Sequence, residues 1–190
     1  MVMRQPKAFL VLAGLACMLS VTSCGGSKPA TPPGNPPNPI VHTAQPARAT
    51  PSASAKMICA PKTQTELAGV LGVHTTQPVV PTWTDHLYSC RYTYKNAFIV
   101  LSVKELSNKT QTDSYFTSLA HRLGQTQRPQ AISRGAFFTT KNFSVVVRKD
   151  YKVLLVNISG LPAQFGAPPY SRADIAIKVA ATIMDCWTGG

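Results

Sequence analysis

The chain has 190 residues, with 19 Lys+Arg against 7 Asp+Glu and a formal net charge of +12. A hydrophobic fraction of 44% excludes a wholly disordered chain. The length fits one domain of ordinary size or two small ones, and no apolar run suits a multi-span membrane protein.

The first element is an address. Arg4 and Lys7 precede Ala8–Val21, a run without a charge, which reads as the n-region and h-region of a secretory signal and is short for a membrane-spanning helix. Val21-Thr22-Ser23-Cys24 follows, then Gly25-Gly26. This stretch resembles a bacterial lipobox: a branched aliphatic residue, two small residues, then the cysteine that is diacylated. The resemblance implies cleavage before Cys24, so that residues 1–23 leave as a signal peptide and Cys24 carries the lipid. Palmitate is the expected type of acyl chain, and the expected location is the extracytoplasmic face of the cell membrane.

Residues 24–56 form the next region: the acylated cysteine, then a tether. Eight of the 16 prolines fall between Pro29 and Pro51, among small and polar residues. Such a segment lacks the apolar surface to fold and reads as disordered, rich in polyproline-II conformation, with a reach of about 100 Å at ~3.1 Å per residue. Residues 57–190 are then expected to form a single α+β domain.

Three helix starts share one pattern. Thr63-x-x-Glu66 precedes Leu67, Ala68, Val70 and Leu71; Thr110-x-x-Asp113 precedes Tyr115, Phe116, Leu119 and Ala120; Ser171-x-x-Asp174 precedes Ala176, Val179, Ala180 and Ile183. Each reads as a capping box ahead of an apolar stripe. Between them, Tyr88, Cys90, Tyr92 and Tyr94 alternate with Ser89, Arg91, Thr93 and Lys95, a half-buried strand that turns at Lys95-Asn96 into Ala97–Val103. Phe143–Arg148 and Val153–Ile158 predict a second hairpin, with Ala136–Thr139 a short strand ahead of it. The expected fold is an antiparallel sheet of four to five strands packed by three helices on one face, in the order α-β-β-α-β-β-β-α.

Cys59, Cys90 and Cys186 remain in the domain, an odd number outside the membrane, where thiols oxidise. Three pairings are open. Cys59–Cys90 ties the entry of the first helix to the first strand and is preferred; Cys59–Cys186 would clasp the two ends of the domain. The cysteine left over is expected to be a buried apolar residue.

A cysteine ahead of a Thr-x-x-Glu-Leu helix ending in Leu-Gly (Cys59, Thr63–Leu67, Leu71-Gly72), then Ser89-Cys90-x-Tyr92, resembles actinobacterial secreted lipoproteins of a small α+β family. It is also similar to the extracellular sensor domains of actinobacterial receptor kinases. The resemblance implies a domain at the cell envelope with those two cysteines bridged, and it carries no catalytic residues.

A search for chemistry finds no nucleophile elbow, His-Glu-x-x-His, Cys-x-x-Cys or phosphate loop. His121 reads as a solvent-facing helix residue. His74 and His86 flank a loop, and Asp85-His86 with Ser89 reads as loop polarity rather than a triad. No metal and no cofactor are expected. Arg148, Lys149 and Lys152 concentrate charge at a hairpin tip, and Arg122, Arg128 and Arg134 lie around the loop after the second helix. Phe165 and Tyr170 border a stiff Gly160–Tyr170 loop that is expected to act as a lid over the core. Arg148, Lys149, Lys152, Phe165 and Tyr170 are therefore the candidate ligand surface.

The expected function is a membrane-anchored, non-catalytic binding module. Its partners are the membrane through Cys24 and an envelope protein, wall polymer or lipid; nucleic acid is not expected. The alternatives are a carrier of an apolar ligand such as a lipid, and an envelope enzyme using Asp85, His86 or Cys186. Of the net charge, the domain keeps 14 basic and 7 acidic residues, enough to draw it toward an anionic membrane and wall.

Overall fold

The computed structural model describes residues 49–124, 135–139, 141 and 143–187. Cys24, the tether up to residue 48, Arg128 and Arg134 lie outside the described residues.

The folded unit starts ahead of the expected boundary at Met57. Helix α1, Ala53–Lys56, is capped by the Ser52 hydroxyl, which accepts from Ala55 N at 3.2 Å. Ala55 is fully buried and Ser54 nearly so. The backbone N–H and hydroxyl of Ser52 both donate to Oε1 of Glu105, itself buried. Ala49 O accepts from Trp83 Nε1 at 3.0 Å. The small residues that read as tether are the ones that fit tightly against the sheet.

A 3-10 turn, Met57–Cys59, leads into α2, Pro61–Leu71. The expected capping box at Thr63 is not formed. Pro61 occupies the first turn, where its missing N–H costs nothing. The Thr63 hydroxyl instead donates to Met57 O at 2.7 Å, and Gln64 Nε2 to Cys59 O at 3.0 Å. Gly72, at φ 66, ends the helix in the left-handed conformation, and a Cβ there would lie 2.0 Å from Ala167 O.

The main sheet has six antiparallel strands rather than four or five, in the order β1-β2-β3-β6-β5-β4. They are β1 Pro81–Thr84, β2 Leu87–Tyr94, β3 Ala97–Glu105, β4 Ala136–Thr139, β5 Ser144–Lys149 and β6 Lys152–Asn157. β1 lies in what read as the His74–Leu87 loop; its residues are mostly exposed, so no apolar alternation announces it. Asp85 and His86 form the two-residue turn into β2, with φ of 50 and 58. Asp150 and Tyr151 do the same between β5 and β6, again with φ of 50 and 58. Paired positive φ values give the turn whose twist matches a hairpin. A separate pair, β7 Gln164–Phe165 and β8 Tyr170–Ser171, makes a small second sheet.

The helices pack on both faces, not on one. Helix α4, Arg172–Cys186, and α2 cover the first face. There Ile175, Ala176, Val179, Ala180 and Ile183 meet Tyr92, Ile99, Leu101, Val145, Leu154 and Val156, all fully buried. Each large aliphatic removed from water contributes roughly 1.5–3 kcal/mol. Helix α3, Lys109–Leu123, lies on the second face, where Leu119 and Ala120 meet Phe137, Val146 and Val153. The class is α+β, as the sequence predicts.

Cap chemistry separates the two long helices. The Ser171 hydroxyl accepts from Asp174 N at 3.2 Å and donates to Asp174 Oδ2 at 2.6 Å, as the pattern predicts. Helix α3 is capped two residues earlier than expected, by Asn108, whose Oδ1 accepts from Gln111 N at 2.9 Å. Asp113 is thereby released to pair with Lys109 and Arg148. Asn and Thr are both competent caps, and the chain uses the first of them.

Candidate functional site

The residues of the expected ligand surface are not brought together. Arg148 and Lys149 are adjacent on β5, so they point to opposite faces. Arg148 binds Asp113 of α3 and lies 4.9 Å from the Phe116 ring, while Lys149 donates to Trp187 O at 3.0 Å. Lys152 donates to Asp150 O at 3.3 Å within its own turn. Phe165 sits at the other end of the sheet, edge-on to Tyr94 with centroids 5.1 Å apart. Tyr170 pairs with it across β7 and β8 and carries Lys178 over its ring at 4.6 Å. The Gly160–Tyr170 loop closes over α2: Ala167 N donates to Leu71 O at 2.8 Å. These side chains stitch the fold.

The cysteines are placed as preferred. Cys59 and Cys90 lie at disulfide distance, with Cα atoms 6.0 Å apart. Cys186 is half-buried rather than apolar, and its thiol donates to Glu66 Oε2 at 3.1 Å. The Glu66 carboxylate raises the thiol pKa above its ordinary value, with burial adding to the effect, so the thiolate fraction falls. Asp85 and His86 are turn residues. The His86 ring stands edge-on to Trp83 at 5.8 Å, and its Nδ1 is buried without a hydrogen bond. Among the described residues, no group of three or more His, Cys, Asp and Glu could hold a metal ion, and no helix is long and apolar enough to cross a membrane.

A different surface emerges from the register. On β2 and β3 the side chains opposite the main core are paired as Leu87 with Lys104, Ser89 with Ser102, Arg91 with Val100 and Thr93 with Phe98. Thr82 of β1 extends the Ser89–Ser102 row, and Leu155 of β6 continues it on the other side. Helix α3 covers the β4-β5-β6 half of this face only. Near it, Asp113 looks toward β5, since it pairs with Arg148. At about 100° per residue, Gln111, Tyr115 and Ser118 then lie on the flank of α3 away from Asp113, Gln111 and Ser118 exposed and Tyr115 packed against the α3 cluster. That flank borders a shallow, open depression of about 470 Å³ lined by Leu106, Thr110, Gln111, Ser114, Tyr115 and Ser118.

The local chemistry of this half-open face is consistent. Thr82 and Ser89 share a hydroxyl–hydroxyl bond of 2.9 Å. Ser102, next in the row, is only 7% exposed, and its hydroxyl is not one of the buried polar atoms left without a partner among the described residues. The Phe98 ring lies across Gly160, where a Cβ would come within 2.6 Å of it. The exposed Arg91 guanidinium sits 4.0 Å from the centre of that ring and makes neither ion pair nor hydrogen bond among the described residues. Lys104 donates to Asp85 O. No carboxylate side chain among the described residues belongs to these rows: Glu105 points to the other face and Asp113 lies on the far flank of α3.

The Ser89–Arg91–Thr93 alternation marks this face as outward in the sequence. What the sequence does not carry is that α3 stops halfway across it, since that depends on which strands neighbour one another. No family model, no curated protein and no solved structure matches the chain.

Proposed function

We propose that this chain is a lipid-anchored protein of the extracytoplasmic membrane face, of the envelope-lipoprotein type that its motifs resemble, whose folded unit is a non-catalytic binding module. The half-open sheet face carries the reading: a six-stranded scaffold presents polar side chains on β1 to β3, outside the half that α3 covers. Glu66, Glu105, Asp113 and Asp174 are meanwhile engaged in contacts that hold the fold together. The anchor rests on the Arg4, Lys7, Ala8–Val21 and Val21–Cys24 pattern.

Metabolic labelling with a palmitate analogue tests the anchor. The wild-type chain should be labelled and should sediment with membranes, and Cys24→Ala should be unlabelled and soluble; equal labelling of both would refute it. Saturable co-sedimentation of the Cys24→Ala chain with purified bacterial envelope, without release of fragments over time, tests the binding module. Linear, non-saturable recovery or steady release of soluble product would refute that half.

A further inference from the structure

We propose that the half-open face of β1, β2 and β3 is a binding site for an anionic, hydroxyl-rich polymer: a polyol or glycan carrying phosphate or carboxylate groups. The inference rests on the binding-module reading and names its site and ligand class.

Three observations converge on it. The first is charge. Arg91 and Lys104 are the charged side chains of these rows, with no carboxylate among the described residues to neutralise them there. Arg91 is held by its ring contact at 4.0 Å with its N–H donors unused, so its planar fork is preorganised for a two-oxygen anion. A guanidinium that had to be peeled from a salt bridge would lose that advantage.

The second is the hydroxyl row. Thr82, Ser89 and Ser102 lie side by side across three strands, and Thr93 stands next to Phe98. The first two hydroxyls satisfy each other at 2.9 Å. Ser102 continues the row toward β6 and is only 7% exposed as a residue. A hydroxyl both donates and accepts, which matches it to a polyol.

The third is shape. The β1–β3 face is open at Thr82 and Arg91, both exposed, while the depression along α3 is lined by Leu106 and α3 residues alone. An open strand surface suits a chain that lies across it, whereas a small molecule is usually enclosed on most sides. The Phe98 ring is taken up by its contacts with Gly160 and Arg91 and serves to hold Arg91 in place.

The test uses the full chain with Cys24→Ala, so that lipid does not contribute, and three probes: a poly(glycerol phosphate) oligomer, a polyuronate oligomer and uncharged dextran. Affinity is measured by isothermal titration at two salt concentrations. Binding to either anionic probe, weakened by salt, with dextran at least about tenfold weaker, is the expected result; the stronger of the two anionic arms distinguishes phosphate from carboxylate recognition. Arg91→Ala should weaken binding about tenfold and Ser102→Val several-fold, while Lys62→Ala, the loss of one exposed positive charge on α2, should change nothing. Arg91 is exposed, so its loss leaves the melting temperature in place.

Equal binding of dextran, no binding of either anion, or anion binding indifferent to Arg91→Ala and Ser102→Val would each overturn the site. If saturable envelope binding persists while all three probes fail, the ligand class falls and the binding-module reading stands. If envelope binding fails as well, both fall.

Discussion

The Cys59–Cys90 pair offers the sharpest test of how the fold is held. The two residues are 31 apart in sequence, and both are buried in the main core. In the chain-entropy account, opening a loop of this length gives back about 12 cal/mol/K to the unfolded state, or about 3.7 kcal/mol at room temperature. For a folded unit between the small and large reference sizes, each kcal/mol moves the melting temperature by about 3–4 °C. Reduction should therefore lower the melting temperature by about 10–15 °C. The assay is thermal unfolding followed by circular dichroism, with and without a phosphine reductant that stays active throughout the scan. The Cys59→Ala/Cys90→Ala variant should melt near the reduced wild type and be indifferent to reductant. Coincident melts of reduced and oxidised wild type within about 3 °C would refute the reasoning, as would a peptide map placing Cys186 in the bridge.

Three further outcomes follow from the cap, the buried phenols and the free thiol. Asn108→Ala should cost about 1 kcal/mol of stability in a denaturant titration, while Thr110→Ala stays within about 0.5 kcal/mol; the reverse order would restore the Thr110 cap. Burial pushes Tyr94 up to about 12 and Tyr92 well above the usual phenol range, the latter with its hydroxyl donating to Ile58 O at 2.6 Å. A raised folded-state pKa means that this stability is fully present below the ordinary value of 10.0 and is lost as pH rises above it. Ultraviolet titration should show both tyrosines ionising only with unfolding, and two normal phenol titrations in the folded chain would contradict this. Cys186 should react with iodoacetamide at pH 8 more slowly than a free thiol, and Glu66→Gln should speed it; no change on Glu66→Gln would show that the carboxylate does not govern the thiol.

Where the sequence predicts this fold well, the signal is periodic and local. The Tyr88–Tyr94 alternation sends Tyr88, Cys90, Tyr92 and Tyr94 inward, and each is buried. The stripe from Ala176 to Ile183 sends α4 onto the same core. It predicts the caps less well, because Pro61 and Asn108 start their helices ahead of the Thr-x-x-acid patterns and leave Thr63, Glu66 and Asp113 for longer-range contacts. Strand β1 is hidden because it is an exposed edge with no apolar pattern to keep. Pro81 there removes an N–H from the edge, which also guards it against pairing with another chain.

The basic hairpin tip shows what charge read along the chain does not carry. Arg148, Lys149 and Lys152 are neighbours in sequence, yet the period of two splits Arg148 from Lys149, and each finds an acceptor of its own. Arg91 is isolated in sequence, between Cys90 and Tyr92, and carries no cluster signature. Strand register puts Lys104 on the same face, four residues along β3 from Val100, which stands opposite Arg91, and Arg91 makes no ion pair among the described residues. A cation that the fold leaves unpaired binds an anion more readily than three cations that the fold has already paired, so the number of basic residues in a stretch says less than which of them the register leaves over.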